Sequence, residues 1–361
     1  MSETNDDAEQ PESTERPTPN PCSDDGEPDS DGVTQVAIAC QGGGSHTAFT
    51  AGALRELLSA ADWEEEFELV GISGTSGGAF NALAVWYGLV TGDEAKAIDL
   101  LERIWSDMAA SDYPDMVVNQ WVSLLSRFQS EGVGIPNVSP YYSPGSDWGQ
   151  QRIVDILERH IEFENIPALC AYEEPELVVG TVNVNDGAFE TFTNEDVTAD
   201  AVLASAAIPT LFEAVEIDGE SHWDGLFSQN PPVKDLMSVP GDRTPDELWV
   251  IQINPQEREG TPTRLPEITD RRNELAGNIS LNQELRTIER INEWIEDGHF
   301  DHPEYTQTTI RRLQLRGYHH STKLDRDPDF LEELIEHGAQ EGAAFLEGLN
   351  LEDDVEYPAR Q

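Results

Sequence analysis

Two glycine-rich turns, each placed where an apolar strand-like run gives way to a helix-like stretch, set the strongest constraint on this chain. Gly42-Gly43-Gly44 follows the continuous apolar run Val36-Ala37-Ile38-Ala39, and Gly74-Thr75-Ser76-Gly77-Gly78 follows Phe67-Glu68-Leu69-Val70-Gly71-Ile72. Uninterrupted apolar runs of this length are typical of parallel strands covered on both faces. After the second turn, Phe80, Leu83, Ala84 and Tyr87 recur at i, i+3, i+4 and i+7, which predicts an amphipathic helix. After the first, Phe49, Ala53 and Leu57 form a similar stripe with Leu54 and Leu58 beside it. Further strand-like and helix-like segments alternate downstream. Strands are expected at Leu177–Val184, Gly187–Thr193, Phe212–Ile217, Leu248–Asn254 and Thr308–Leu315. Helices are expected at Ala199–Ala207, across Glu267–Ile295 and over the closing stretch that holds Phe330, Leu334 and Phe345. Such alternation predicts a layered α/β fold, a mainly parallel sheet with helices on both faces.

The second turn has the G-x-S-x-G spacing of a nucleophile elbow, a bend that lifts a serine hydroxyl above the end of a strand. Gly74, Gly77 and Gly78 suit it because a tight elbow needs unusual backbone angles and leaves no room for Cβ atoms. Thr75 and Ser76 lie between them, and Ser76 is the candidate nucleophile. The first turn can aim several free N–H groups of Gly42, Gly43 and Gly44 at a developing negative charge. The competing phosphate-cradle reading fails on composition, because Ser45-His46-Thr47 supplies no lysine where a Walker-type loop requires one.

A serine hydroxyl needs a base within hydrogen-bond reach. Asp224, in His222-Trp223-Asp224-Gly225, is one candidate, although an aspartate before a glycine is also an ordinary turn residue. A later histidine, His319 or His320, would instead complete the order Ser, Asp, His of an α/β-hydrolase triad. The residues alone leave both arrangements open.

Gly42-Gly43-Gly44, Gly74-Thr75-Ser76-Gly77-Gly78 and Asp224-Gly225, in that order, resemble the three signatures of the patatin-like phospholipase family. Ala204-Ser205-Ala206-Ala207-Ile208-Pro209 with Phe212, and Asn230 and Pro232 after Asp224-Gly225, resemble the family's accompanying segments. The resemblance runs from about Val33 to at least Leu236. It implies a three-layer patatin-like fold and a lipase- or phospholipase A-type serine acyl hydrolase with no cofactor. By the same resemblance, Ser76 attacks an acyl carbonyl, Asp224 takes its proton without a histidine, and the glycines at 42–44 hold the oxyanion. Water then releases the acyl-enzyme. Three positions depart from the family pattern: His46 where arginine or lysine is usual, Thr47 in place of glycine, and Leu226 in place of a small residue after Asp-Gly. Thr47 and Leu226 also motivate a contrasting expectation, an inactive homologue that binds a lipid or polyester surface.

His46, beside the glycine turn, could reinforce an oxyanion hole if protonated, or order the loop by hydrogen bonding. His222 lies two residues before Asp224 and could tune it, while a solvent-facing strand histidine is the commoner case. Cys22, Cys40 and Cys170 are scattered, the histidines form no ligand spacing with them, and neither a disulfide framework nor a metal site is expected. Cys40 is expected to fill core space under the glycine turn. Residues 111–146, with an apolar stretch around Trp121 and Phe128 followed by Gly- and Pro-rich chain, read equally as a lid or as a plain insertion.

The chain carries 71 acidic against 21 basic residues, a formal net charge of −50, with lysine only at 96, 234 and 323. Phosphate contacts need clustered cations, so nucleic-acid binding is not expected. In molar salt the Debye length falls to about 3 Å, which screens the self-repulsion of such a chain. Adaptation to a very salty cytoplasm, as in halophilic archaea, is the economical reading. If the host is archaeal, its ether-linked membrane lipids offer few acyl esters, so acylglycerols, thioesters, a storage polyester or other carboxyl esters stand beside phospholipids as substrates. These would be met at a membrane or storage-granule surface. Residues 1–32, rich in Asp, Glu, Ser, Thr and Pro, read as a disordered acidic tail, 33–350 as the acyl hydrolase domain and 351–361 as a second tail. No secretory apolar segment and no run long enough to span a bilayer is present in the sequence, and a cytoplasmic location is expected.

Overall fold

The computed structural model describes residues 33–349, apart from 62, 64, 112–114, 117–118, 121–138, 171–173, 239–242, 259 and 300–305. Both tails and most of the 111–146 segment, including Trp121 and Phe128, lie outside the described residues. The described residues all belong to one compact unit that begins at Val33.

The strands are β1 (Thr34–Cys40), β2 (Phe67–Gly74), β3 (Glu176–Asn183), β4 (Phe189–Thr193), β5 (Val215–Ile217), β6 (Glu220–Asp224), β7 (Glu247–Gln252) and β8 (Thr309–Gln314). They form a sheet in the order β5-β6-β3-β2-β1-β7-β8, with β4 paired to β3. The β3-β2-β1-β7-β8 part is parallel throughout, and β4, β5 and β6 add antiparallel pairs. Successive side chains of a strand point to opposite faces, and the apolar runs are therefore divided between two cores. Val36, Ile38 and Cys40 of β1 join Ile72, Val179, Trp249 and Ile251 on one face. Ala37 and Ala39 join Val70, Val178, Leu248 and Val250 on the other.

The first face is covered by α1 (Ala48–Ala60), α2 (Gly77–Thr91), α3 (Glu94–Met108), α4 (Pro144–His160) and the closing helix, here labelled α7 (Pro328–Leu349). The short α5 (Ala199–Ser205) packs with Val215 in a satellite cluster. The second face is covered by the long α6 (Leu265–Glu296) through Leu281, Leu285 and Ile288. The result is the three-layer α/β arrangement that the glycine turns and strand runs predict. No helix among the described residues is long and apolar enough to cross a membrane.

Two local expectations change. The Phe80, Leu83, Ala84, Tyr87 stripe accounts for only part of α2, because every residue from Gly77 to Gly88 is buried. Its one strongly polar side chain, Asn81, is satisfied by Thr47 O and Trp105 Nε1. In the 212–217 segment only Val215–Ile217 is extended, since Ile208 O accepts from both Leu211 N–H and Phe212 N–H and holds the chain in a turn. Helices α1 and α7 cross at backbone contact: a Cβ on Gly52 would lie 1.8 Å from Ile335 O, and one on Gly338 would lie 1.9 Å from Phe49 O.

Candidate active site

Strand β2 ends at Gly74 and the chain turns at Ser76 into α2. Ser76 has φ 56°, ψ −130°, in the left-handed half of backbone space that a residue with a Cβ seldom occupies. Strain of this kind costs about 1–3 kcal/mol and persists only where neighbours over-determine it. They do so here. Thr75 N–H donates to Cys40 O, Gly78 N–H to Thr75 O, and Ser76 N–H to Ser205 Oγ at 2.9 Å. Ser205 donates its own proton to Gly180 O on β3. The flanking glycines are dictated by contact. A Cβ at Gly74 would lie 2.3 Å from Gly78 O, one at Gly78 2.2 Å from Cys40 O, and one at Gly77 2.0 Å from Thr47 Oγ1.

The first glycine turn lies against this elbow. A Cβ added to Gly42 would meet Thr75 O at 2.5 Å and Ser76 Cβ at 2.9 Å. The turn does not offer all three of its N–H groups. Gly42 N–H donates to Asn230 Oδ1 at 2.7 Å, so the set expected from the sequence narrows to Gly43 and Gly44. The next amide, Ser45 N–H, is held by Lys323 O.

Asp224 reaches the elbow because β3 pairs with β2 through Val179 and then with β6 from Thr181, opposite which Asp224 sits. Its carboxyl is buried and accepts Leu226 N–H at 2.8 Å, and the Ser76 side chain lies near enough to favour its charged form. Burial pushes this carboxyl up to about 7, against smaller opposing pulls from Leu226 N–H and the Ser76 hydroxyl. Gly225 is required by β3, since a Cβ there would lie 2.6 Å from Gly180 O.

The three departures from the family pattern take defined places. His46 is buried, its Nε2 2.7 Å from Thr322 Oγ1 and its ring edge-on to Tyr318 and Phe330. It joins the glycine turn to the 318–330 segment. Thr47 Oγ1 donates to Gly44 O and fills the space above Gly77. Leu226 contributes its backbone N–H to Asp224, while its side chain lies against α6 at Gly277.

His222 is not solvent-facing, as a strand histidine commonly is. It is 1% exposed, with Nε2 2.8 Å from Glu190 and Nδ1 bonded to Glu220 O. Its register on β6 puts it beside Asn183 of β3, which closes over it from the sheet. Glu190, Glu220 and His222 have ligand-type atoms within 4.8 Å of one another and are the group best able to hold a metal ion among the described residues. Asn183 donates to both carboxylates, so the group is already satisfied internally. His319 is exposed with Nδ1 on Ser321 Oγ, and the structure does not bring it to Asp224. Cys40 is fully buried and desolvation drives its thiol far up, which suits a space-filling residue under the turn.

Several residues of the site are not marked as site residues in the sequence, although Ser205 lies in one of the segments that resemble the family. Ser205, Gln41 and Asn254 hold the elbow and the turn through hydrogen bonds to distant strands. For Gln41 and Asn254 the sequence signal is a polar side chain at the end of an apolar run.

Against known proteins, the sequence profile described as patatin-like phospholipase matches residues 38–237, more than half of the chain. The chain belongs to the patatin-like phospholipase family. The matched region starts in β1 and ends just past Asn230 and Pro232, so this patatin-like segment contains both glycine turns, Ser76 and Asp224. No curated protein matches the sequence. Among solved structures, the chain is similar to VipD from Legionella pneumophila, with 14% identity and a TM-score of 0.42, covering 87% of this chain and 67% of that one. It is also similar to the type III effector protein ExoU, with 16% identity and a TM-score of 0.36, covering 88% of this chain and 53% of that one. A complex of SpcU with ExoU from Pseudomonas aeruginosa gives 14% identity and a TM-score of 0.35, covering 87% of this chain and 52% of that chain. This patatin-like chain thus spans only about half the length of ExoU.

Proposed function

We propose that this protein is a serine acyl hydrolase that cleaves carboxylic esters of lipids through an acyl-enzyme, with Ser76 as nucleophile and Asp224 as the only base. The observation that carries the reading is a serine on a strained elbow whose side chain lies beside a buried carboxyl pushed up to about 7. A carboxylate with an ordinary value would be too weak a base, and one poised near neutrality is matched to proton transfer at working pH.

In this reading Asp224 removes the Ser76 proton as Oγ attacks the ester carbonyl. The carbonyl π pair moves onto oxygen, and that oxyanion is met by the N–H groups of Gly43 and Gly44. Donors of this kind contribute about 10²–10³ each in rate. Collapse of the tetrahedral adduct breaks the bond to the alkoxy group, which leaves as the alcohol with the proton held by Asp224. Water then repeats the sequence: Asp224 takes its proton, the acyl–serine bond breaks, and Ser76 regains a proton from Asp224. The net charge of −50 favours work in concentrated salt and a neutral or cationic lipid surface over an anionic one.

The test is hydrolysis of p-nitrophenyl esters in molar KCl. Ser76→Ala and Asp224→Asn are expected to lose at least about 10²-fold in kcat, the low end for a positioned acid–base group. His319→Gln is expected to retain turnover. Equal rates for wild type, Ser76→Ala and Asp224→Asn would refute the proposal.

A further inference from the structure

The two peptide groups that meet at Gly42 are each held by an amide side chain from elsewhere in the chain. The Gly42 N–H donates to Asn230 Oδ1 at 2.7 Å, and the Gly42 carbonyl accepts from Asn254 Nδ2 at 3.3 Å. Gln41, the preceding residue, uses its whole side chain in the same way. Its Nε2 donates to Asn230 O and Asn278 Oδ1, and its Oε1 accepts from Ile253 N–H and Asn254 N–H. The segment that contains Asn230 is also bound to the elbow, through Thr75 Oγ1 to Gln229 O at 2.8 Å and Ser73 Oγ to Pro232 O at 2.5 Å. One short stretch after Asp224 therefore touches both the nucleophile's strand and the oxyanion turn.

Asn230 is almost fully buried, yet its Nδ2 has no hydrogen-bond partner. That asymmetry shows which atom matters. With Oδ1 facing the Gly42 N–H, an amide flip would set two donors against each other, so the side-chain oxygen has a fixed task and the nitrogen has none. Leaving a buried N–H unpaired costs about 1–3 kcal/mol, enough to turn the Gly42 peptide toward a new partner. The Gly43 N–H lies in the next peptide, joined to this one at the Gly42 Cα and held on its carbonyl by the longer Asn254 bond, so a rotation of the first is passed to the second.

We propose that Asn230 is a positioning residue for oxyanion stabilisation: its Oδ1 locks the Gly42 peptide so that the Gly43 and Gly44 N–H groups, and not Gly42, face the reacting carbonyl. It touches no reacting atom. The inference rests on the acyl-hydrolase reading above and specifies which donors that reading uses.

The experiment compares a p-nitrophenyl ester with its thionoester, in which sulfur replaces the carbonyl oxygen. Sulfur is larger and a poorer hydrogen-bond acceptor, so an ordered oxyanion site favours the oxygen substrate, and a change that only weakens the fold does not alter that ratio. Asn230→Ala is expected to lower kcat about 10²-fold on the ester, with KM within about threefold, and to cut the ester-to-thionoester preference about tenfold. Asn230→Asp keeps an oxygen toward Gly42 and replaces the unpartnered nitrogen with a second oxygen. Burial favours the uncharged acid, so the comparison is made at the lowest pH at which wild type turns over. This variant is expected to hold the wild-type preference and to lose no more than about fivefold in kcat. Thermal melting checks folding, and if Asn230→Ala does not fold, Asn230→Ser, too short to reach Gly42, carries the same expectation. A wild-type preference in the Ala or Ser variant, or an equal loss in Asn230→Asp, overturns the proposal. Ser76→Ala is the blank. Turnover surviving there overturns the acyl-hydrolase reading itself, whereas an inactive Ser76→Ala beside an unaltered Asn230→Ala overturns only the positioning role.

Discussion

Replacing Asp224 with asparagine should stabilise the protein while it silences the site, and the stabilisation should depend on pH. The carboxyl rises from an ordinary 3.8 to about 7 because it is buried. A shift of about 3 units corresponds to about 4 kcal/mol of preference for the neutral form in the folded state. For an acid whose folded value is raised, the native state binds the proton more tightly than the unfolded chain. Below about pH 4 both states are protonated and nothing is lost. As pH rises from about 4 to about 7 stability falls, and above about 7 the full cost of a buried charge is present. The asparagine side chain cannot ionise but still offers an amide oxygen to Leu226 N–H. The advantage of Asp224→Asn over wild type should therefore grow from near zero at about pH 4 to about 4 kcal/mol above pH 7, or about 10 °C in Tm at the usual scaling. Melting both proteins in molar KCl across this range is the assay, with kcat/KM measured in parallel. Wild-type kcat/KM should rise through an apparent pKa of about 7 as the base form appears. A stability difference that does not vary with pH, or one of opposite sign, would refute the assignment of Asp224 as a desolvated base.

Two further outcomes follow from packing and charge. Gly52→Ala gains up to about 1 kcal/mol of helix propensity, but its Cβ would lie 1.8 Å from Ile335 O, and forcing α1 from α7 costs about 1–3 kcal/mol. A net loss is expected in the urea midpoint, and a variant as stable as wild type would count against the close crossing. Lowering KCl from molar to about 0.1 M lengthens the Debye distance from about 3 to about 10 Å, so a chain of net charge −50 should melt at lower temperature. A Tm indifferent to salt would remove the case for a saline habitat.

What the sequence discloses about this protein is mostly local. The division of β1 between two cores follows from a run of alternating faces, and the elbow follows from glycines whose Cβ atoms would strike Gly78 O, Cys40 O and Thr47 Oγ1. Asp224 is legible because a glycine must follow it where β3 passes. The rest depends on partners far along the chain. His222 reads as a surface residue until β4 brings Glu190 to it. The stripe on α2 gives no hint of the all-round burial that α3 and β3 impose. Asn230 is marked only by the resemblance and Gln41 only by its place at the end of an apolar run, because a hydrogen bond to a residue some two hundred positions away leaves no periodic trace.

The order of parts along the chain also has a consequence. Ser76 and Asp224 are made first, but the glycine turn is held by Lys323 O, by Thr322 through His46, and by Phe330 beside it. Helix α1, which leaves that turn, has its outer side covered only when the final helix arrives. On the proposed reading, the serine and the aspartate therefore emerge during synthesis before the segments that hold the glycine turn, and a nascent or prematurely ended polypeptide carries the hydroxyl and the carboxylate without a completed turn. Fluorophosphonate labelling of chains ended before Tyr318 would reveal whether reactivity waits for the turn.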